Sequence, residues 1–229
     1  MNMVSTCNCD QCELRTLFFN NVTKKELESL CNIKVENNYT KGDLITEEGS
    51  EIRDFNYLKS GLVKLFRSSD DREQIITIAK PFDFISLLSV FSNGHYKYSV
   101  RAIEDSVICS ISISEVRNLI KTNGTFALDL LEKMNRIADM IIIESLDIRK
   151  KHLRGRIAHV LLYFAGYIYN QQEFELPISR KEIAEYIGMT TENVIRTLSE
   201  FRKDKIIRIN GKTIEIVNKE ILERISQLG

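Results

Sequence analysis

Two small groups of residues in this 229-residue chain have types and spacings suited to chemistry. Near the start, Cys7, Cys9 and Cys12 form C-x-C-x2-C, close enough for the thiols to hold a metal together or to sense redox state. Near the end, SRKEIAEYIGMTTENVIRTLSEF (Ser179 to Phe201) carries Glu192 and Arg196 one helical turn apart. Arginine pairs bidentately with guanine O6 and N7, and glutamate accepts from cytosine N4. The same i, i+4 spacing also suits an ordinary surface ion pair, so the surrounding elements must decide. No nucleophile–base pair, phosphate-cradling glycine loop or paired carboxylate set is visible, which argues against an enzyme.

The elements that position Glu192 and Arg196 follow from local signals. Ser179 and Glu182 form an S-x-x-E capping box just after Pro177. The helix it starts has Ile183, Ala184 and Ile187 on its inner face, and Gly188 supplies the backbone freedom for a sharp turn. Thr190 can cap a second helix whose inward residues are Val194, Leu198 and Phe201. Thr191, Glu192, Ile195 and Arg196 are then left on the free face near its N-terminal end, where base edges are reached in a major groove. Beyond it, IIRINGKTIEIV reads as two strands joined at Asn210-Gly211. Helix, turn, helix and hairpin make a winged helix-turn-helix, for which double-stranded DNA is the expected partner. Arg180, Lys181, Arg202, Lys203, Lys205, Arg208 and Lys212 surround the free face and suit phosphate contacts, which set register without reading sequence.

The first half reads differently. NYLKSGLVKLF, EQIITIA, YSVRAIE and SVICSISI are rich in β-branched and aromatic residues, with turn clusters between them. Short strands at this spacing predict a sandwich, jelly roll or barrel. From Ala127 to about His152 the pattern turns helical, with a seam at Leu131, Met134, Ala138, Ile141, Ser145 and Ile148 in steps of three and four. Such a helix outruns the β-domain and predicts a homodimer. The fold class is α+β, with expected divisions at 1–22 (cysteine segment), 23–125 (β-domain), 126–152 (dimerisation helix) and 153–229 (DNA-binding domain).

Composition limits the alternatives. The longest apolar run, Val160 to Tyr169, is too short to span a membrane, and no secretory signal is visible. With five cysteines and no export signal, a cytoplasmic protein is expected. The zero net charge conceals 15 basic against 10 acidic residues from Arg149 onward, so an anionic partner suits the C-terminal third. A second reading is a redox or metal-binding module whose helix-turn-helix serves protein contacts. Salt-dependent binding to a palindrome separates the two.

From roughly Leu27 to Val217 the chain resembles the cAMP receptor protein/FNR family of bacterial transcription regulators. KGDLITEEG, YLKSGLVKLFR, PFDFISLLSVF and LPISRKEIAEYIGMTTENVIRTLSEF carry the resemblance. It implies a β-roll sensor domain, a dimerising central helix, and half-sites with a TGA-like core read by Glu192 and Arg196. RNA polymerase is the further partner expected of such a regulator. Where cAMP-binding members have G-E-L and R-S-A, this chain has Ser86-Leu87-Leu88 and Tyr96-Lys97-Tyr98, so cAMP is not the expected effector. In the FNR branch an N-terminal cysteine cluster and a thiolate on the strand matching Cys109 hold an oxygen-sensitive [4Fe–4S] group. The resemblance thus nominates Cys7, Cys9, Cys12 and Cys109. FNR spacing is wider, C-x2-C-x5-C. Zinc at the tail thiols, and Cys109 as a core thiol beside Val107, Ile111 and Ile113, are the competing readings.

Overall fold

In the computed structural model, which describes residues 22–69, 72–86, 89–92 and 94–228, the chain divides into two compact units. One takes the residues through Arg67 and Thr77–Met140; the other takes Ser68–Ile76 and Ile141–Gly229.

The first unit begins with helix α1 (Lys24–Ile33), whose start is set by a capping box. Thr23 Oγ1 accepts from the Glu26 amide, and the Glu26 carboxylate accepts from the Thr23 amide at 2.8 Å. Seven strands follow: β1 (Val35–Tyr39), β2 (Leu44–Thr46), β3 (Asp54–Ser60), β4 (Val63–Ser69), β5 (Arg72–Ala79), β6 (Ser99–Ala102) and β7 (Ser106–Ser112). They form two sheets, ordered β1-β7-β3 and β2-β6-β4-β5. The strand-rich stretches of the sequence are therefore a two-sheet roll. Strand alternation divides the first sheet cleanly. Phe55 and Tyr57 of β3 and Cys109 and Ile111 of β7 join one buried cluster with Leu30 and Cys31 of α1. Helix α2 (Ile113–Thr122) adds Val116 and Leu119 to it. Phe55 has no exposed surface, and truncating such a side chain to alanine costs about 3–5 kcal/mol.

Helix α3 (Gly124–Lys150) has 27 residues, about 40 Å at 1.5 Å per residue. It starts three residues before the expected Ala127, because Asn123 Oδ1 accepts from the Phe126 amide at 3.0 Å. Phe126 and Leu130 enter the first unit's cluster, with Met134 and Ile137 packed against it. Leu128, Leu131, Ile142, Ile143 and Leu146 are each about half exposed.

The second unit continues with α4 (Leu153–Leu162) and a wide turn at Tyr163–Ile168 closed by Tyr169 N–H donating to Phe164 O at 2.9 Å. The i to i−5 bond opens the helix and lets Phe164 lie near-parallel to Phe174 and Tyr169, at centroid distances of 6.2 and 6.4 Å. A three-residue strand, β8 (Glu173–Glu175), follows. Then come α5 (Arg180–Ile187), α6 (Thr191–Lys203), β9 (Ile207–Asn210), β10 (Thr213–Ile216) and α7 (Lys219–Leu228), the sheet order being β8-β10-β9. Asn210 pairs with Thr213, so the hairpin turns on Gly211-Lys212, one residue later than Asn210-Gly211. Among the described residues no helix is long and apolar enough to cross a membrane.

One turn of the roll is testable directly. Gly61, between β3 and β4, has φ +86°, and a Cβ there would lie 2.3 Å from Asp105 O and 2.4 Å from Ser106 Oγ. Gly61→Ala should destabilise the protein by about 2–4 kcal/mol through combined strain and overlap. A urea midpoint equal to the parent's would contradict this account of the turn.

Candidate nucleic-acid interface and sensor core

The helix-turn-helix is built as its local signals require. Ser179 Oγ accepts from the Glu182 amide at 3.2 Å, and Glu182 Oε2 accepts from the Ser179 amide at 2.8 Å. Helix α5 buries Ile183, Ala184 and Ile187, and Tyr186 as well. Gly188 ends it in the left-handed region at φ 66°, ψ 49°, a conformation that costs any residue with a Cβ. Thr190 Oγ1 then caps α6 by accepting from the Asn193 amide at 3.3 Å. Val194, Thr197, Leu198 and Phe201 face inward.

Helix α6 therefore presents Glu192, Ile195 and Arg196 to solvent, with Thr191 half-buried beside them. Ile195 is 51% exposed, an apolar side chain with no part in its own core. Glu192 and Arg196 do not satisfy each other as the i, i+4 pair of the alternative reading would. Arg196 Nη2 donates to Asn193 Oδ1 at 3.0 Å, while hydrogen bonds from its own amide and from Thr190 hold the Glu192 carboxyl below its ordinary value. Of the phosphate candidates, Arg202, Lys203, Lys205 and Lys212 are exposed. Arg208 is also exposed but forks onto Glu215 across the hairpin at 2.9 Å, Lys181 lies 3.7 Å from Glu185, and Arg180 is half-buried.

Two arginines have partners that local sequence patterns do not reveal, some of them distant in the chain. Arg154 donates to Glu200 at 2.7 Å and to Asp204 at 3.0 Å, and its guanidinium lies 5.0 Å from the Phe201 ring centre. It thus ties α4 to the C-terminal half of α6. Arg156 donates to three carbonyls: Lys151 at 2.8 Å, Ile187 at 3.0 Å and Arg149 at 3.1 Å. Those oxygens stand at helix C-terminal ends, where carbonyls lack helical partners and a cation is favoured. Tyr186 adds a third tie by donating to Glu144 Oε1 at 2.7 Å. Only the basic run KKHLRGR hinted at the two arginines.

The expected seam of α3 is relocated in part. Leu131 is exposed and Ala138 half-exposed, but Met134 packs on the first unit's cluster. Ile141, Ser145 and Ile148 line a cavity of the second unit with Tyr186 and Arg156, and Ile148 is only 5% exposed. The apolar residues left in water are Leu128, Leu131, Ile142, Ile143 and Leu146. At 100° per residue these span about 120° of arc, a stripe rotated from the one expected.

Of the nominated thiols, Cys7, Cys9 and Cys12 lie outside the described residues. Cys109 is fully buried in the cluster that also holds Cys31. Burial pushes its thiol up to about 11, against a hydrogen bond from Tyr57 and the charges of Lys34 and Lys59. Among the described residues no group of three or more potential ligands is placed to hold a metal. As a ligand, Cys109 would supply one thiolate of a larger set from within this packed cluster. A coordinated thiol is deprotonated by the metal itself; here Lys34 and Lys59 favour the thiolate, while burial and the Glu36 charge oppose it. These lysines also hold Glu36. Lys34 Nζ donates to Glu36 Oε1 at 2.7 Å and Lys59 Nζ to Oε2 at 2.9 Å. Burial alone would push the Glu36 carboxyl up, but these two hydrogen bonds outweigh it and bring the group to about 2.

Known proteins resemble the chain throughout. The Crp-like helix-turn-helix domain matches residues 155–225, and the cyclic nucleotide-binding domain matches residues 36–123. The fumarate and nitrate reduction regulatory protein of Escherichia coli K12 is 24% identical over 229 residues, covering 96% of this chain and 90% of that one. The structure of FixK2 from Bradyrhizobium japonicum superposes with a TM-score of 0.76 at 23% identity, covering 84% of this chain and 97% of that one. A regulator of the crp/fnr family from Eubacterium rectale also gives 0.76, at 19% identity, covering 93% and 100%. These likenesses establish the fold.

The buried Lys34–Glu36–Lys59 group predicts a pH dependence. A folded value of about 2 against an ordinary 4.5 means the stabilisation is complete above about pH 4.5 and is lost as pH falls toward 2. Its size is about 3 kcal/mol. The stability gap between the parent and Glu36→Gln should close over that range in urea titrations. A gap that stayed constant with pH would contradict the assignment.

Proposed function

Because the chain belongs to the Crp/Fnr family of DNA-binding transcription regulators, we propose that it acts as a homodimer whose two α6 helices read a two-fold symmetric operator. The observation that carries this is the outer face of α6. Glu192, Ile195 and Arg196 are exposed at the capped end of the helix, and the core needs none of them. Arg196 reads a guanine and Glu192 a cytosine in a TGA-like half-site, and Thr191 and Ile195 contact the flanking bases. Lys203, with Arg180, Lys181, Arg202, Lys205, Arg208 and Lys212, contacts phosphates. Two-fold symmetry puts the half-sites about one helical turn apart, roughly 34–36 Å. The dimer seam runs along Leu128, Leu131, Ala138, Ile142 and Leu146, a stripe supported by its exposure in the single subunit. RNA polymerase is the partner through which the bound dimer acts.

The sensor input is assigned to the thiols. Cys7, Cys9, Cys12 and Cys109 would hold a [4Fe–4S] group, which would supply sensitivity to oxygen and redox state. The support is the resemblance to FNR regulators and the place of Cys109 beside α1, the helix that the N-terminal segment runs into.

Two measurements test these assignments. In a binding-site selection, Arg196→Ala should relax preference at the guanine and cost about 1–3 kcal/mol, whereas Lys203→Ala should weaken all sites alike and flatten the salt dependence. Unchanged specificity in the first variant would remove Arg196 from base readout. Protein purified without oxygen should contain about four iron atoms and four sulfides per subunit, lost in Cys109→Ser; no iron in the parent would leave Cys109 a packing residue.

A further inference from the structure

The roll contains a second polar region on the side of the first sheet opposite Cys109. Strand alternation puts Asp54, Asn56 and Ser110 on that side, and Ser110 stands opposite Asn56 in the ladder. With Tyr39, Thr46 and Tyr96 they line a cavity of about 390 Å³, at the small end of the range for metabolite sites.

Polar groups in this cavity are incompletely satisfied. Asn56 is 7% exposed, and its Nδ2 donates to the Tyr96 hydroxyl at 3.2 Å. Its Oδ1 is buried and has no hydrogen-bond partner among the described residues. Thr46 Oγ1 is in the same condition. Each unpaired buried acceptor costs about 1–3 kcal/mol, so a donor arriving from outside is favoured. Charge selects the kind of donor. Asp54, Glu47 and Glu51 line the cavity against one cation, Arg53, which pairs with Glu51 at 3.1 Å. The Asp54 charge reaches both tyrosines, adding to burial in raising the Tyr39 and Tyr96 hydroxyls.

An anion is poorly matched to such a site. Most of the described residues corresponding to the cyclic-nucleotide position lie outside the cavity. Ser86 Oγ is fully buried and accepts from the Asn56 amide at 2.9 Å, and Tyr98 donates to Ile85 O at 3.0 Å. Of that position's described residues, Tyr96 lines the cavity, and Ser86, Lys97 and Tyr98 do not.

We propose that this cavity binds a small organic cation bearing amine or guanidinium N–H groups. The cation pairs with the Asp54 carboxylate and donates to Asn56 Oδ1 and Thr46 Oγ1. A guanidinium fits best, because its planar fork matches a carboxylate in two parallel bonds. Such a ligand ties β2 to β3, strands of opposite sheets, and gives the roll an input separate from the thiols.

Calorimetric titration of the full chain with agmatine, putrescine and tyramine tests the site without DNA, so its outcome does not depend on the DNA-binding reading. At least one of the three should bind more tightly than about 1 mM, agmatine best. Asp54→Asn should weaken binding tenfold or more, and Thr46→Val severalfold, with ligand-free melting curves close to the parent's. Absence of binding by all three cations would overturn the proposal, as would equal affinity in the parent and Asp54→Asn, or tighter binding of cAMP at the same residues.

Discussion

A helix of 27 residues with an apolar stripe that its own subunit leaves in water constrains everything else in this molecule. The inner face of α3 is held by Phe126, Leu130 and Met134 against the roll, and by Ile148 in the second unit. The outer face carries Leu128, Leu131, Ile142, Ile143 and Leu146 with no core to enter. Water is a poor partner for five such side chains, at about 25 cal/mol per Å² of apolar surface. In the proposed dimer a second copy of the same helix covers them symmetrically and supplies the two-fold axis that a palindromic operator would require.

Within the second unit, short polar ties convert the end of α3 into a position for α6. Arg156 gathers carbonyls from Arg149, Lys151 and Ile187, and Tyr186 reaches back to Glu144. Arg154 fastens the far end of α6 through Glu200 and Asp204. The recognition helix is thus fixed by groups that touch neither DNA nor sensor.

Local features were legible in the sequence, and long-range ones were not. The Ser179–Glu182 box, the Gly188 turn and the Thr190 cap involve residues within a few positions of one another, and each appears where its pattern put it. The strand-rich half is likewise a two-sheet roll. Strand β8 escaped notice because Glu-Phe-Glu is too short to give a period. The hairpin slipped by one residue because Asn210-Gly211 and Gly211-Lys212 both accommodate a positive φ at Gly211. On α3 the period was visible but its phase was not. Two apolar stripes run along one helix, and only tertiary packing shows which is already covered. Arg154 and Arg156 read as mere charge because Glu200, Asp204 and Ile187, the partners that tie them to the helix-turn-helix, lie 31–50 residues away. The acidic cavity was hidden for the same reason, since Thr46, Asn56 and Tyr96 meet only in the folded roll.

Symmetric pairing through the outer face of α3 is the claim on which DNA reading rests. Sedimentation equilibrium of the full chain and of Ile142→Glu, with and without a palindromic duplex, tests it most directly. The account predicts a dimer that binds one duplex, and a folded, monomeric variant that has lost the palindrome. A parent chain that is monomeric yet binds the palindrome, or a variant that binds it as the parent does, would contradict it.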